Sequence, residues 1–148
     1  MKKIFIIVGW LNIPKEVVYE IFNKKYTYCK CLFVEKDHYL QSKFTYANAT
    51  GKKIDAIFIG PIPHKTFAAG NNKSMVAELC IANSITPVYV CRNKAGVLKF
   101  TKTSLRQAVN NHELHLQEIK QEKKNREDKE IMEFKMLIKT LFPNQKLF

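Results

Sequence analysis

The chain has 148 residues, of which 46% are hydrophobic and 26% are charged, and its formal net charge is +12 at pH 7. This length fits one ordinary domain with a single core, and the composition excludes the disordered and fibrous classes. Residues 1–116 contain 17 Lys and Arg against 7 Asp and Glu, so most of the positive surplus lies outside the C-terminal segment. A basic body predicts an anionic partner: nucleotide phosphates, nucleic acid or an acidic protein.

The first eleven residues, MKKIFIIVGWL, have the lysines and the apolar stretch of a signal peptide, but no small-residue cleavage site comes after them. No apolar run in the sequence approaches the ~20 residues that a bilayer-spanning helix needs. We therefore expect a soluble, cytoplasmic protein.

Two short, almost wholly apolar runs, residues 2–9 and 54–59, predict central strands that are buried on both faces. After the first run, Asn12 is expected to cap a helix whose first turn contains Pro14 and which ends near Lys24 and Lys25. The aromatic stretch 26–35 predicts a strand nearer the edge of the sheet. Residues 36–53 indicate no more than a short helix and a turn.

Beyond the second apolar run, the pattern predicts a helix at residues 74–82, a strand at 86–92, a turn at 93–96 and a short strand at 97–101 that completes a hairpin. Strands that alternate with helices imply a mostly parallel sheet covered on both faces. The predicted fold class is α/β: a three-layer Rossmann-like or flavodoxin-like sandwich with a mostly parallel sheet, an edge hairpin and a long C-terminal helical extension.

The last third of the chain predicts one long helix, which begins at Leu105 with Thr103 or Ser104 as its cap and meets no proline or glycine before Pro143. At 1.5 Å per residue, such a helix is about 60 Å long. We accordingly divide the chain into an α/β domain at residues 1–104 and a helical arm at residues 105–148. The first part of the arm carries an apolar seam that suits packing on the sheet: Leu105, Val109, His112, Leu116 and Ile119.

The middle of this helix, residues 120–130, contains no apolar residue, whereas an apolar cluster returns between Ile131 and Phe142. Such a cluster would be a sticky patch if it were left exposed to solvent. Either the helix breaks near Asn125 and folds back, or the cluster packs on another chain. We favour the second arrangement and expect a homodimer formed through the C-terminal helix.

The best candidate for a binding site is the loop at residues 60–74, which comes directly after the second apolar strand. Gly60 lets the backbone turn, and Pro61 and Pro63 stiffen the beginning of the loop. His64 can act as an acid, a base or a hydrogen-bond donor near neutral pH, so it is the one candidate catalytic residue. The alternative is a long surface loop in which the prolines serve rigidity only.

Two further features place positive groups and an aromatic ring near this loop. Its later residues offer lysine charges and open backbone N–H groups before a helix, where anions are favoured. The loop after the first strand contains the sole tryptophan, which could stack on a base or sugar, or could instead be a core residue. The predicted ligand-binding residues are Gly9, Trp10, Asn12, Gly60, Pro61, Pro63, His64, Lys65, Thr66, Gly70, Asn71, Lys73 and Ser74.

Several familiar motifs are absent. The segment 70–74 has the Lys-Ser pair of a phosphate-binding P-loop but lacks its glycines, and no G-x-G-x-x-G or G-x-S-x-G occurs. The segment His112-Glu113-Leu114-His115 lacks the spacing of H-E-x-x-H, and the four cysteines lack zinc-knuckle spacing. We therefore predict no metal site, no bound cofactor and reduced cysteines.

These observations favour a small basic α/β protein that binds an anionic small molecule, in particular a nucleotide or a nucleotide-derived ligand, at the loops that succeed the strands. The first alternative is an enzyme acting on nucleotides or nucleosides, a hydrolase or transferase, with His64 as acid or base. The second is a nucleic-acid-binding module that uses the basic body, with Lys99, Lys102 and Arg106 extending its surface.

Overall fold

The structure is a computed structural model and describes residues 2–34, 51–62 and 75–144. Along the chain, the elements are β1 (Lys3–Val8), α1 (Lys15–Asn23), β2 (Cys29–Val34), β3 (Ala56–Ile59), α2 (Met75–Ala82), β4 (Val88–Val90) and α3 (Lys102–Leu141). The chain divides into two compact units, Met1–His112 and Glu113–Phe148, and α3 contributes to both. None of the helices in the described ranges is long and apolar enough to cross a bilayer.

The described strands form one four-stranded sheet in the order β2-β1-β3-β4, and every pair of neighbours is parallel. Among these strands β1 and β3 are central, as their apolar sequences predict, and β2 pairs only with β1. This order matches the first four strands of a flavodoxin-like sheet (2-1-3-4-5) and differs from the classical dinucleotide-binding order. The predicted mostly parallel α/β sheet is therefore confirmed.

Side chains alternate between the two faces of the sheet, and each face has its own core. Phe5 and Ile7 of β1 belong to the first core, which also contains residues of α1 and of the start of α3. Ile6 and Val8 belong to the second core, together with Leu79 of α2. The helices thus cover both faces and complete the three predicted layers.

The placement of α1 and α2 on opposite faces results from the strand order. The chain moves from β1 to β2 in one direction across the sheet and from β3 to β4 in the other. Because crossovers between parallel strands are right-handed, connections that run in opposite directions put their helices on opposite faces. The direction in which the chain crosses the sheet therefore reverses between β1 and β3.

The segment after β4 forms a turn that is closed by one antiparallel bridge, between Arg92 and Leu98. The Lys99 N–H donates to the Cys91 carbonyl at 3.0 Å, and the Asn93 N–H donates to the Val97 carbonyl at 2.9 Å. The Asn93 side-chain oxygen also accepts hydrogen bonds from the N–H groups of Ala95 and Val97. The predicted turn at residues 93–96 is present, but residues 97–101 form one bridge and no strand, so the predicted edge hairpin is reduced to this short, side-chain-stabilised turn.

The starts of α1 and α3 differ in detail from prediction. Pro14 occupies the N-cap position of α1 without a side-chain cap bond, so Asn12 is not the cap. Helix α3 begins at Lys102, three residues before the predicted start, because Thr101 and Ser104 cap it reciprocally. The Ser104 N–H donates to Thr101 Oγ1, and the Thr101 N–H donates to Ser104 Oγ, both at 2.9 Å. This is the geometry of a capping box with a serine at its third position.

Helix α3 continues without interruption to Leu141, so it has no break near Asn125. Leu105, Val109 and His112 of the predicted seam are buried, whereas Leu116 is half-buried and Ile119 is exposed.

Candidate functional site

The carboxyl ends of β1 and β3 lie side by side, because Val8 is paired with Ile59 in the parallel register. The Gly60 N–H donates to the Val8 carbonyl at 2.9 Å, which continues the pairing one residue past β3. Two of the predicted binding loops, those that begin at Gly9 and at Gly60, therefore leave the sheet from adjacent positions.

Gly9 brings these two loops into direct backbone contact. Its φ is +127°, a conformation that side-chain-bearing residues rarely adopt. A Cβ on Gly9 would lie 2.7 Å from the Pro61 carbonyl oxygen, which also accepts a hydrogen bond from the Trp10 N–H at 2.9 Å. Only glycine allows the first loop to pass this close to the second.

Gly60 is required for a different reason. A Cβ at this position would lie 2.5 Å from the ring of Phe100, which is fully buried. Gly60, which the sequence predicts to let the backbone turn after the strand, thus also makes room for an aromatic ring from the segment after β4. The ring and the glycine together fix where the second loop begins.

The strand order reverses at these two loops, since the chain continues from β1 to one side and from β3 to the other. In open α/β sheets, the two connections diverge at such a point and leave a crevice outside the carboxyl ends of the strands. Gly9, Trp10, Gly60 and Pro61 lie at this point of the sheet. The structure therefore brings together these four residues, which are predicted binding residues at the starts of the two loops.

Trp10 is 62% exposed, so it is not a core residue. Its backbone is held by Pro61, while its indole is accessible to a partner. Asn12 is also exposed and, as it does not cap α1, its side chain makes no cap bond.

The remaining predicted residues lie outside the described part of the chain. They are Pro63, His64, Lys65, Thr66, Gly70, Asn71, Lys73 and Ser74.

A second group of polar residues lies at the same edge of the sheet, after β4. Arg92, Lys94, Thr103 and Gln107 contribute to a depression of about 520 Å³ beside the start of α3. The Arg92 guanidinium donates to the Gly96 carbonyl at 2.9 Å, which ties it to the turn. From the sequence, these residues belong to a turn and a helix start, with no predicted role in binding. The sequence pattern that could have indicated this group is a cation directly after a predicted strand and shortly before a predicted helix N-cap.

The opposite, amino edge of the sheet is rich in lysine. Lys2, Lys3, Lys30, Lys52 and Lys53 line a depression of about 540 Å³ together with Asp55. Asp55 lies directly before β3, although the predicted strand at residues 54–59 included it, and it accepts a hydrogen bond from the Ile4 N–H at 2.8 Å. Its other carboxylate oxygen is 3.8 Å from Lys3 Nζ. Asp55 therefore stabilises the start of the sheet and offsets only part of the lysine charge.

His112 and His115 do not form a pair on one surface, because His112 is buried and His115 is exposed. His112 Nδ1 is 2.8 Å from the Tyr89 hydroxyl, and its ring meets those of Phe5 and Tyr89 edge to face. It is a core histidine that connects α3 to β4.

All four cysteines are free thiols, and Cys31 and Cys91 are buried. Burial raises the pKa of the Cys91 thiol to about 12, and burial together with the neighbouring Cys29 raises the pKa of Cys31 still more. Such thiols are protonated and inert at neutral pH. Within the described ranges, no cluster of His, Cys, Asp and Glu has the makings of a metal site.

Comparisons with known proteins give no assignment: no protein-family model matches the chain, and neither do any curated protein or any solved structure at a significant level.

Proposed function

We propose that this protein binds an anionic small molecule of the nucleotide class in the crevice between β1 and β3. The observation that carries the proposal is the reversal of strand order at these strands, where Gly9 packs directly against the Pro61 backbone. Open parallel sheets bind their ligands at such a point.

Trp10 supports a ligand with an aromatic ring. It is the residue next to Gly9 and exposes most of its side chain, although its backbone is fixed by the hydrogen bond to Pro61. Stacking of a base on an aromatic side chain is worth about 1–3 kcal/mol. A fixed backbone reduces the entropy that the loop loses when it receives a ligand.

The charge of the same sheet edge supports an anion. Arg92 and Lys94 come after β4, and the first turn of α3, the positive end of its dipole, lies beside them. The net charge of +12 attracts anions over a longer range. The contacts assigned to His64, Lys65, Thr66 and the segment 70–74 rest on the sequence.

Because Trp10 is the sole tryptophan, its fluorescence reports on this site alone. We expect saturable quenching when the protein is titrated with nucleoside mono-, di- or triphosphates, and a rise in thermal stability. Ligand at one hundred times its Kd stabilises the folded state by about 2.7 kcal/mol. Absence of both responses at millimolar nucleotide would refute the proposal.

A matched pair of variants localises the binding. Trp10→Ala removes the exposed ring at the carboxyl edge, whereas Tyr28→Ala removes a ring that is 76% exposed and precedes β2 at the amino edge. By calorimetry, we expect Trp10→Ala to weaken nucleotide binding about tenfold or more, consistent with the loss of one stacking contact. Tyr28→Ala should leave the Kd unchanged, and equal losses in both variants would place the ligand elsewhere.

The same titration addresses an enzymatic role. Turnover of the bound nucleotide that is lost in His64→Ala would favour a hydrolase or transferase over a binding protein.

The lysines of the amino edge favour a second candidate function, the binding of nucleic acid through its phosphates. If they contact phosphates, the double variant Lys30→Gln with Lys53→Gln should reduce the slope of log K against log[salt] by about two. The matched control, Lys120→Gln with Lys124→Gln, removes the same charge from the exposed middle of α3. An unchanged slope in the first variant, or an equal decrease in the control, would exclude this surface.

A further inference from the structure

The last part of α3 carries a regular heptad repeat of apolar residues. Ile131 and Ile138 are seven residues apart, as are Phe134 and Leu141, and the two series alternate at spacings of three and four. These are the a and d positions of a heptad. The segment is helical to Leu141, so its backbone places all four side chains on one stripe.

This stripe is open to solvent in the single chain. Ile131 is 53% exposed, Phe134 and Leu141 are similarly exposed, and Ile138 is half-buried. Leu137 and Phe142 fall at the flanking g and e positions, widen the stripe and are exposed as well. A regular stripe of large apolar side chains in water is characteristic of an interaction surface.

The charges beside the stripe are complementary to those of a second, parallel copy. In a parallel pair, each g residue faces the e residue five positions further along the other helix. This rule pairs Glu130 with Lys135 of the second copy and Lys123 with Asp128 of the second copy. The next such pair, Leu137 with Phe142, is apolar.

We propose that residues 131–142 form a two-stranded parallel coiled coil with a second copy of this chain. Isoleucine at both a positions of the stripe with leucine at one of its two d positions, Leu141, favours two strands, and a lysine at an a position, here Lys124, also restricts the number of strands. Lys124 and the d residue Glu127 confine the apolar contact to the last two heptads. The dimer is therefore concentration-dependent. This inference is independent of the proposed ligand site.

An antiparallel pair does not match the charges. Aligning the apolar layers in that orientation sets Ile131 against Leu141 and Phe134 against Ile138 of the other copy. Since e residues then face e residues, the two Lys135 side chains meet. Like charges at this position oppose the antiparallel arrangement, whereas the parallel arrangement turns the same lysine towards a glutamate.

The first experiment measures the mass of the full chain by light scattering over a range of concentrations. We expect a dimer of twice 17.3 kDa that dissociates on dilution. Ile131→Glu should raise the dissociation constant at least about tenfold because it buries a charge in an a layer. Met132→Glu is the matched control: its side chain is 63% exposed and lies at the b position, outside the stripe, so the dimer should persist.

Two results would overturn the proposal. One is a monomer at all concentrations up to about 100 μM, which would mean that a different partner covers the stripe. The other is an equal effect of Ile131→Glu and Met132→Glu, which would mean that the heptad stripe is not the contact. Far-UV circular dichroism on each variant confirms that α3 remains helical.

The second experiment tests orientation by exchanging charges. Glu130→Lys and Lys135→Glu should each weaken a parallel dimer, and the double variant should restore it, because the pair is re-formed with its signs reversed. In an antiparallel dimer, Glu130 and Lys135 do not meet across the interface, so the double variant would not restore the loss. That result would reject the parallel arrangement.

Discussion

Replacement of Gly9 by alanine should strongly destabilise the fold, because two independent penalties coincide at this residue. Its φ of +127° is strained for any residue with a Cβ. The added Cβ would also lie 2.7 Å from the Pro61 carbonyl oxygen and 3.0 Å from the Pro61 nitrogen. These are backbone atoms, which cannot rotate away as the end of a side chain can.

The magnitude can be worked out from these contacts. A sparsely populated backbone conformation costs about 1–3 kcal/mol. Moving Pro61 away weakens its 2.9 Å hydrogen bond from the Trp10 N–H, a bond worth about 1 kcal/mol. Alanine returns about 0.4–1 kcal/mol by restricting the unfolded chain. The free energy of unfolding should therefore fall by about 1–3.5 kcal/mol, which lowers the Tm of a chain of this size by roughly 3–12 °C.

Gly51→Ala provides the control. Gly51 also has a positive φ, +64°, but within the described ranges no atom lies within 4 Å of an added Cβ. The free energy of unfolding of Gly51→Ala should fall by no more than about 1 kcal/mol, since the left-handed conformation is only mildly unfavourable and alanine restricts the unfolded state. Urea denaturation of the two variants, monitored by circular dichroism, measures both free energies. An equal or smaller loss for Gly9→Ala would show that Gly9 does not pack against Pro61.

Three other predictions concern the core. Gly60→Ala should lower the free energy of unfolding by at least about 2 kcal/mol, because the added Cβ clashes with Phe100. The double variant with Phe100→Leu should lose less than the sum of the two single losses, and additive losses would contradict that contact. Tyr89→Phe should lower the free energy of unfolding, measured by urea denaturation, by about 1–3 kcal/mol, because it removes the hydroxyl that lies 2.8 Å from Nδ1 of buried His112. A loss below about 0.5 kcal/mol, which is the range of ordinary surface substitutions, would contradict this prediction. Burial raises the pKa of the Cys91 thiol from 9.0 to about 12, so the unfolded thiol ionises first and the free energy of unfolding falls as pH rises above 9. Between pH 7 and 10, the wild type should lose about 1 kcal/mol more than Cys91→Ala, and equal losses would refute this assignment.

Most of the sheet could be predicted from the sequence, because continuous apolar runs have few other stable environments. The residues from Phe5 to Val8 and from Ala56 to Ile59 are all buried, as their composition predicts. Strand order could not be predicted, since it depends on which pairs meet in three dimensions. The exact start of α3 could not be predicted, because Thr101, Thr103 and Ser104 are all good caps by residue type. Only the reciprocal hydrogen bonds distinguish Thr101.

The positions at which the two loops leave the sheet could be predicted, but the contacts that make glycine necessary there could not. Glycine after a buried strand indicates a loop, and both Gly9 and Gly60 are found at that place. The contact of Gly9 with Pro61 joins residues about fifty positions apart, and that of Gly60 with Phe100 joins residues forty apart. No local pattern encodes either contact. For the same reason, the sequence does not indicate that Arg92 and Lys94 share a sheet edge with Trp10.

The division of the core between two faces has a consequence for synthesis on the ribosome. The face covered by α2 can close once the chain has emerged to Ala82, because the buried residues that the structure describes on that face all precede this point. The other face waits for Phe100 and for Leu105 to Val109 of α3. At 5–20 residues per second, the interval is roughly one to six seconds. During that time, the rings of Phe5 and Phe58 lack the edge-to-face contacts that they make with His112 of α3 in the folded protein.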